Sequence, residues 1–110
     1  MHAASCFTSF IVANSRRIQH LVKNLAVELG PRHILVNAIA PGFFPSKMTH
    51  GLLEATGGVE ALGKANPSGR LGEAEDIAGA VVYMASRAGS HLNGAVLAID
   101  GGEHLARGKL

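Results

Sequence analysis

The residues of this chain that could do chemistry are few and scattered. Its single cysteine, Cys6, excludes an internal disulfide and a cysteine-based zinc site. The six histidines (His2, His20, His33, His50, His91 and His104) never recur at the spacing that lets one helix face hold a metal, so no metal site is expected. A Ser46–His50–Asp100 triad can be drawn on paper, but nothing around Ser46 marks it as an activated nucleophile. The only tyrosine, Tyr83, lies in an apolar helical segment and reads as packing. Glycine is more informative. Fourteen of 110 residues are glycine, and glycine sits where backbone must turn or approach something closely. Gly51, Gly57, Gly58 and Gly63 do not form a dinucleotide fingerprint in a strand–turn–helix setting. Pro41-Gly42 closes an apolar run and, taken alone, reads as a strand-ending turn.

The elements that must position these residues follow from periodicity. Ile18, Leu21, Val22, Leu25 and Leu29 recur at three and four, which predicts a helix over Ser15–Leu29. Asn14 or Ser15 could cap it, and Gly30-Pro31 ends it. Ile34–Ala40 is short, β-branched and apolar on both faces apart from Asn37, the pattern of a strand covered on both sides in a parallel sheet. Asn37 is expected to brace the strand end. Two short helical pieces, near Met48–Ala55 and Val59–Ala65, flank Gly57-Gly58. Glu73–Ser86 carries a second stripe, with Glu73, Glu75 and Asp76 in its first turn, where acids suit the helix dipole. Gly94–Ile99 is a second short strand, and Asp100-Gly101-Gly102 reads as the turn that ends it. A strand–crossover–strand of this length implies two parallel strands joined right-handedly. Two strands leave edges unpaired and faces bare, so the sheet is expected to be the end of a larger α/β domain or to be completed by another chain.

Composition narrows the class. Apolar residues are 47% and charged residues 16%, which excludes a disordered chain. No apolar run reaches the roughly 18 residues of a membrane span. The net charge of +2 comes from scattered residues without base-stacking aromatics, so neither nucleic acid nor a membrane is expected as a partner.

Four ordered segments carry a family resemblance: Asn24–Gly30, Val36–Phe44, Arg70–Ala78, and Asn93-Gly94 with Ile99–Gly102. Together they closely resemble the C-terminal part of short-chain dehydrogenases/reductases, and within them the 3-oxoacyl-carrier-protein reductase-like subgroup. The resemblance implies an α/β chain with a partial Rossmann-like doubly wound fold, two parallel strands and flanking helices. It divides the chain into a divergent N-terminal segment (1–20), the C-terminal portion of the family domain (21–102) and a polar tail (103–110). It also implies NADP or NAD as cofactor and a small carbonyl or alcohol substrate. Pro41, Gly42 and Phe44 would lie beside the nicotinamide and its carboxamide. Ser46 would take the place of a threonine whose hydroxyl contacts the cofactor, or else cap the helix that follows.

The family's tyrosine and lysine, which protonate the carbonyl oxygen and hold the ribose, fall at Ile11 and Ser15, and neither residue can do that work. No catalytic residue is assigned. The expected family function is NAD(P)H-dependent reduction of a ketone or 3-oxoacyl group, or the reverse alcohol oxidation. The chain as given is expected to be a truncated, inactive form. The alternative is a non-catalytic fragment that pairs with itself or with a full-length relative. In the family the helix equivalent to Ser15–Leu29 packs in a four-helix subunit contact, and the last strand with the Glu73–Ser86 helix makes another, so homo-oligomers or hetero-association are expected. The expected compartment is the cytoplasm. A C-terminal Gly108-Lys109-Leu110 and an acid-poor N-terminus keep the peroxisome and mitochondrion as alternatives.

Overall fold

A computed structural model of the chain describes residues 7–12, 16–45, 50–55 and 57–106. The strands are β1 (Phe7–Val12), β2 (Ile34–Pro41) and β3 (Val96–Ile99). The helices are α1 (Arg16–Leu29), α2 (His50–Ala55), α3 (Gly58–Ala65), α4 (Ala74–Ala85) and α5 (Glu103–Ala106). The sheet order is β1-β2-β3 and both pairings are parallel. The two expected strands are therefore present and parallel, and the fold is a partial Rossmann-like α/β arrangement. A third strand joins them from a segment the sequence reading treats as divergent. Phe7 pairs with Ile34 and Val12 with Ile39, so β2 is hydrogen-bonded along both edges.

Helix α1 covers one face of the sheet. Val22 and Ala26 are buried and pack with Val36 and Ala38 of β2, joined by Ile11, Ile18, Leu25, Leu29, Ile34 and Val96. Leu21, expected in the inward stripe, is half-exposed, and Ala26 takes the inner place. The α-helix ends at Leu29, with Gly30-Pro31 following as expected. A separate 3-10 turn over Gly30–Arg32 follows, and His33 adopts a left-handed conformation (φ 63°) that closes it and donates its N–H to Gly30 O. Alternation sends Asn37 and Ile39 to the other face of β2, where both are buried, so the central strand is closed on both sides as a parallel sheet requires. Helix α4 lies against β1.

The chain before β3 is stitched to β2 by two asparagines. Asn37 is fully buried. Its Nδ2 donates to Leu92 O (2.9 Å) and its Oδ1 accepts from Ala95 N–H (3.0 Å). Asn93 answers from the other side: its Oδ1 accepts from Val36 N–H (2.9 Å), and its Nδ2 donates to Ala26 O (3.0 Å) near the end of α1. The bracing role expected of Asn37 is thus directed at the segment leading into β3.

The segments before α4 are pinned electrostatically. Arg70 makes a two-pronged contact with Asp76, Nη1 to Oδ2 (2.9 Å) and Nη2 to Oδ1 (3.0 Å). Asp76 Oδ2 also accepts from Glu73 N–H (2.8 Å). The hydrogen bonds from Arg70 and from the Glu73 backbone hold the Asp76 carboxyl down at about 2. The same pairing raises the Arg70 guanidinium above its ordinary value.

Candidate functional site at the carboxyl ends of β2 and β3

A parallel sheet presents its ligand crevice where the strands end at their carboxyl termini. Here β2 and β3 end side by side: Pro41 pairs with Ile99, and Gly42 N–H extends the ladder by donating to Ile99 O (3.0 Å). A cleft of about 600 Å³ opens at this point, lined by Pro41 at the end of β2, Gly42 and Phe43 just after it, Asp100, Glu103 and His104 after β3, and Gln19 of α1. That volume falls within the roughly 300–1,000 Å³ of ordinary small-molecule sites.

The wall has a clear local logic. A Cβ on Gly42 would stand 2.5 Å from Asp100 Cβ and 2.9 Å from Asp100 Cα, so only glycine allows the two strand ends to close up. Gly42 is thus required by the packing of Asp100. Asp100 in turn organises the turn that follows. Its Oδ1 accepts from Gly102 N–H (3.0 Å), and its Oδ2 accepts from His104 N–H (3.1 Å) and contacts His104 Nδ1 (2.6 Å). Burial alone would push the Asp100 carboxyl up. The hydrogen bonds from Gly102 and His104 outweigh it and hold the carboxyl below its usual range. From behind, Asn66 Nδ2 donates to Asp100 O (2.9 Å), while Asn66 Oδ1 accepts from Ser68 N–H and Oγ.

Of the four residues expected at the cofactor, Pro41 and Gly42 lie on this wall. Phe44 is turned away from it. Its ring packs on Gly72, where any Cβ would collide with it, and it lines a second, smaller cleft of about 330 Å³ with Arg70, Leu71 and Asp76. Phe43 borders both clefts. Ser46 and Ser15 lie outside the described residues. Ile11, set at the family's tyrosine position, lies in β1 opposite Ala38 and not on the helix that follows. Asp100 engages His104, so the paper triad with His50 has its acid already committed. The reading as a polar tail missed His104: Asp100 and His104 stand four residues apart across a short helix, and that spacing was the available signal.

A family model described as enoyl-(acyl carrier protein) reductase matches residues 12–104. Short-chain dehydrogenase/reductase VdtF of Byssochlamys spectabilis is 46% identical over 90 residues, covering 82% of this chain and 29% of the relative. The rhamnolipids biosynthesis 3-oxoacyl-[acyl-carrier-protein] reductase of Pseudomonas aeruginosa is 42% identical over 88 residues, or 80% of this chain and 34% of the relative. A crystal structure of a putative 2-deoxy-D-gluconate 3-dehydrogenase from Agrobacterium tumefaciens with bound NADP superposes with a TM-score of 0.71 at 40% identity, over 80% of this chain and 36% of that one. The chain spans about a third of the length of the curated relatives it matches. The family model's match runs through the strand-end loop, the α4 entry and the Asp100 turn alike, and the chain belongs to the short-chain dehydrogenase/reductase family.

Proposed function

We propose that this chain forms the nicotinamide side of an NAD(P)-dependent oxidoreductase site acting on a ketone or 3-oxoacyl group, or on the corresponding alcohol. The observation that carries this reading is the cleft at the carboxyl ends of β2 and β3, with Pro41 and Gly42 on its wall. The cofactor, when bound, supplies or accepts hydride. The chain's own part is to give the ring a rigid wall. The Gly42–Asp100 contact fixes the strand ends, and Phe44 ties the loop to Gly72. In this reading Pro41, Gly42, the main chain of Phe44, and Ser46 border the nicotinamide and its carboxamide.

The chain carries no Tyr-x-x-x-Lys pair, and Ile11 and Ser15 neither donate a proton nor hold a ribose. The chain by itself is therefore expected to be without turnover. The test is saturation-transfer NMR with nicotinamide mononucleotide, using ribose 5-phosphate as control. Transfer to the nicotinamide ring protons is expected, and its absence refutes the cofactor-wall reading. Mixed with NADPH and an acetoacetyl thioester, the chain should not consume the reduced cofactor above background. Turnover would refute the assignment of inactivity.

A second reading is association with another copy or with a full-length relative. Leu21 and Val27 on the outer surface of α1 are 50% and 80% exposed, and Leu97 of β3 is exposed as well. Gel filtration with a full-length relative tests it, and an unchanged elution volume removes it.

A further inference from the structure

We propose that Asn93-Gly94 is a modification site: a dipeptide that deamidates when the chain opens and that the closed fold holds in check. Of the five asparagines only Asn93 is followed by glycine; the others precede Ser15, Leu25, Ala38 and Pro67. An asparagine amide is open to attack by the main-chain nitrogen of the next residue. Glycine has no Cβ, so it leaves that nitrogen least hindered and its backbone freest to reach the ring geometry. Gly94 N bonds to Asn93 Cγ, the Cγ–Nδ2 bond breaks, and ammonia leaves with the Gly94 N–H proton. The succinimide so formed takes up one water from solvent. It reopens to aspartate, or to isoaspartate with the main chain running through Cγ. Amide plus water thus becomes acid plus ammonia, with nothing oxidised or reduced.

The fold requires both residues and restrains both. Gly94 has φ 76°, which side chains rarely adopt, and a Cβ there would stand 3.3 Å from Ala26 Cβ. Its N–H donates to Val36 O (2.8 Å), so the attacking nitrogen is tied to β2. The amide under attack is tied as well, its Oδ1 to Val36 N–H (2.9 Å) and its Nδ2 to Ala26 O (3.0 Å). Ring closure turns that amide back onto Gly94 N and gives up these bonds. Asn93 is exposed, so water reaches the ring once it forms. The change runs one way. A carboxylate at position 93 has no donor for Ala26 O and faces that carbonyl with like charge, and isoaspartate adds a carbon to the main chain just before β3. A brief opening of the segment leading into β3 therefore becomes a permanent loss of its stitch to α1. The inference is independent of the cofactor reading.

The test incubates the full chain at neutral pH over a series of urea concentrations. Fragment mass spectrometry follows the gain in mass that amide-to-acid conversion brings at each asparagine. Isomerisation at Asp100-Gly101 changes no mass and is not counted. Conversion should be fastest at Asn93 in unfolding urea. In buffer it should run at least about tenfold slower, the factor that an opening costing about 1.4 kcal/mol already gives, and it should quicken with urea below the midpoint. In unfolding urea, where the fold no longer matters, Gly94→Ala should slow it severalfold. Asn93→Asp, which carries the product side chain, should unfold at a lower urea midpoint than the native chain. Equal rates in buffer and in unfolding urea, faster conversion at another asparagine in unfolding urea, no effect of Gly94→Ala there, or an unchanged midpoint for Asn93→Asp would each overturn the proposal.

Discussion

Replacing Asn37 by alanine should cost this chain a large share of its stability. The side chain is fully buried and serves two backbone groups, the Leu92 carbonyl and the Ala95 N–H. Truncation leaves both without partners beside a strand that is covered on both faces. A buried polar group left unsatisfied costs about 1–3 kcal/mol, so the pair amounts to roughly 2–6 kcal/mol. A chain of this length has a total stability of roughly 5–15 kcal/mol, so Asn37→Ala takes it near the edge of folding. Asn93 is the internal control. It also makes two backbone bonds, to Val36 and Ala26, but its side chain is open to solvent and water can replace it. Asn93→Ala should cost only about 1–2 kcal/mol. Urea unfolding followed by far-UV circular dichroism measures both, with the midpoint shift multiplied by the slope. If Asn93→Ala lowers the midpoint as much as Asn37→Ala, burial is not what sets the worth of these bonds and the reasoning fails.

Gly42→Ala should destabilise by about 1–3 kcal/mol, because its Cβ meets Asp100 backbone as well as side chain. Gly79→Ala, in the middle of α4 with open space around it, should instead stabilise by about 0.5–1 kcal/mol, and thermal melting of the two variants gives opposite signs if the geometry is right. The Asp76 carboxyl, held down to about 2 from an ordinary 3.8, contributes stability that is complete above the higher value and is lost as pH falls toward the lower. Melting temperature should therefore drop across that window in the native chain and drop less in Asp76→Asn; equal slopes would show that the Arg70 contact is not formed in solution.

Much of this architecture can be read from local pattern. The Ile18–Leu29 stripe and the short apolar runs at Ile34 and Val96 announce α1, β2 and β3, because one turn of helix or one strand carries its own periodicity. What stayed hidden depends on partners far along the chain. Phe7–Val12 becomes a strand only through its register with Ile34–Ile39. Four residues from Glu103 to Ala106 become helical because Asp100 gathers the N–H groups of Gly102 and His104. At the site, Pro41 and Gly42 could be located because Pro-Gly punctuates a strand end. The reason Gly42 must be glycine could not be read there, since the atom that excludes a side chain belongs to a residue 58 positions later. Phe44 shows the same limit. The family resemblance set it beside Pro41 and Gly42, and the contact with Gly72 sends its ring to the neighbouring cleft.

The bridging asparagines have a topological consequence. Asn37 and Asn93 join the first half of the chain to the last through bonds that bypass α2 and α3, and the β2–β3 ladder runs alongside them. A single protease cut between Ala55 and Gly57 should therefore leave two peptides that travel as one particle and separate only in denaturant. Covalent continuity across those two helices is dispensable once the halves have met, and the halves could be supplied as separate polypeptides.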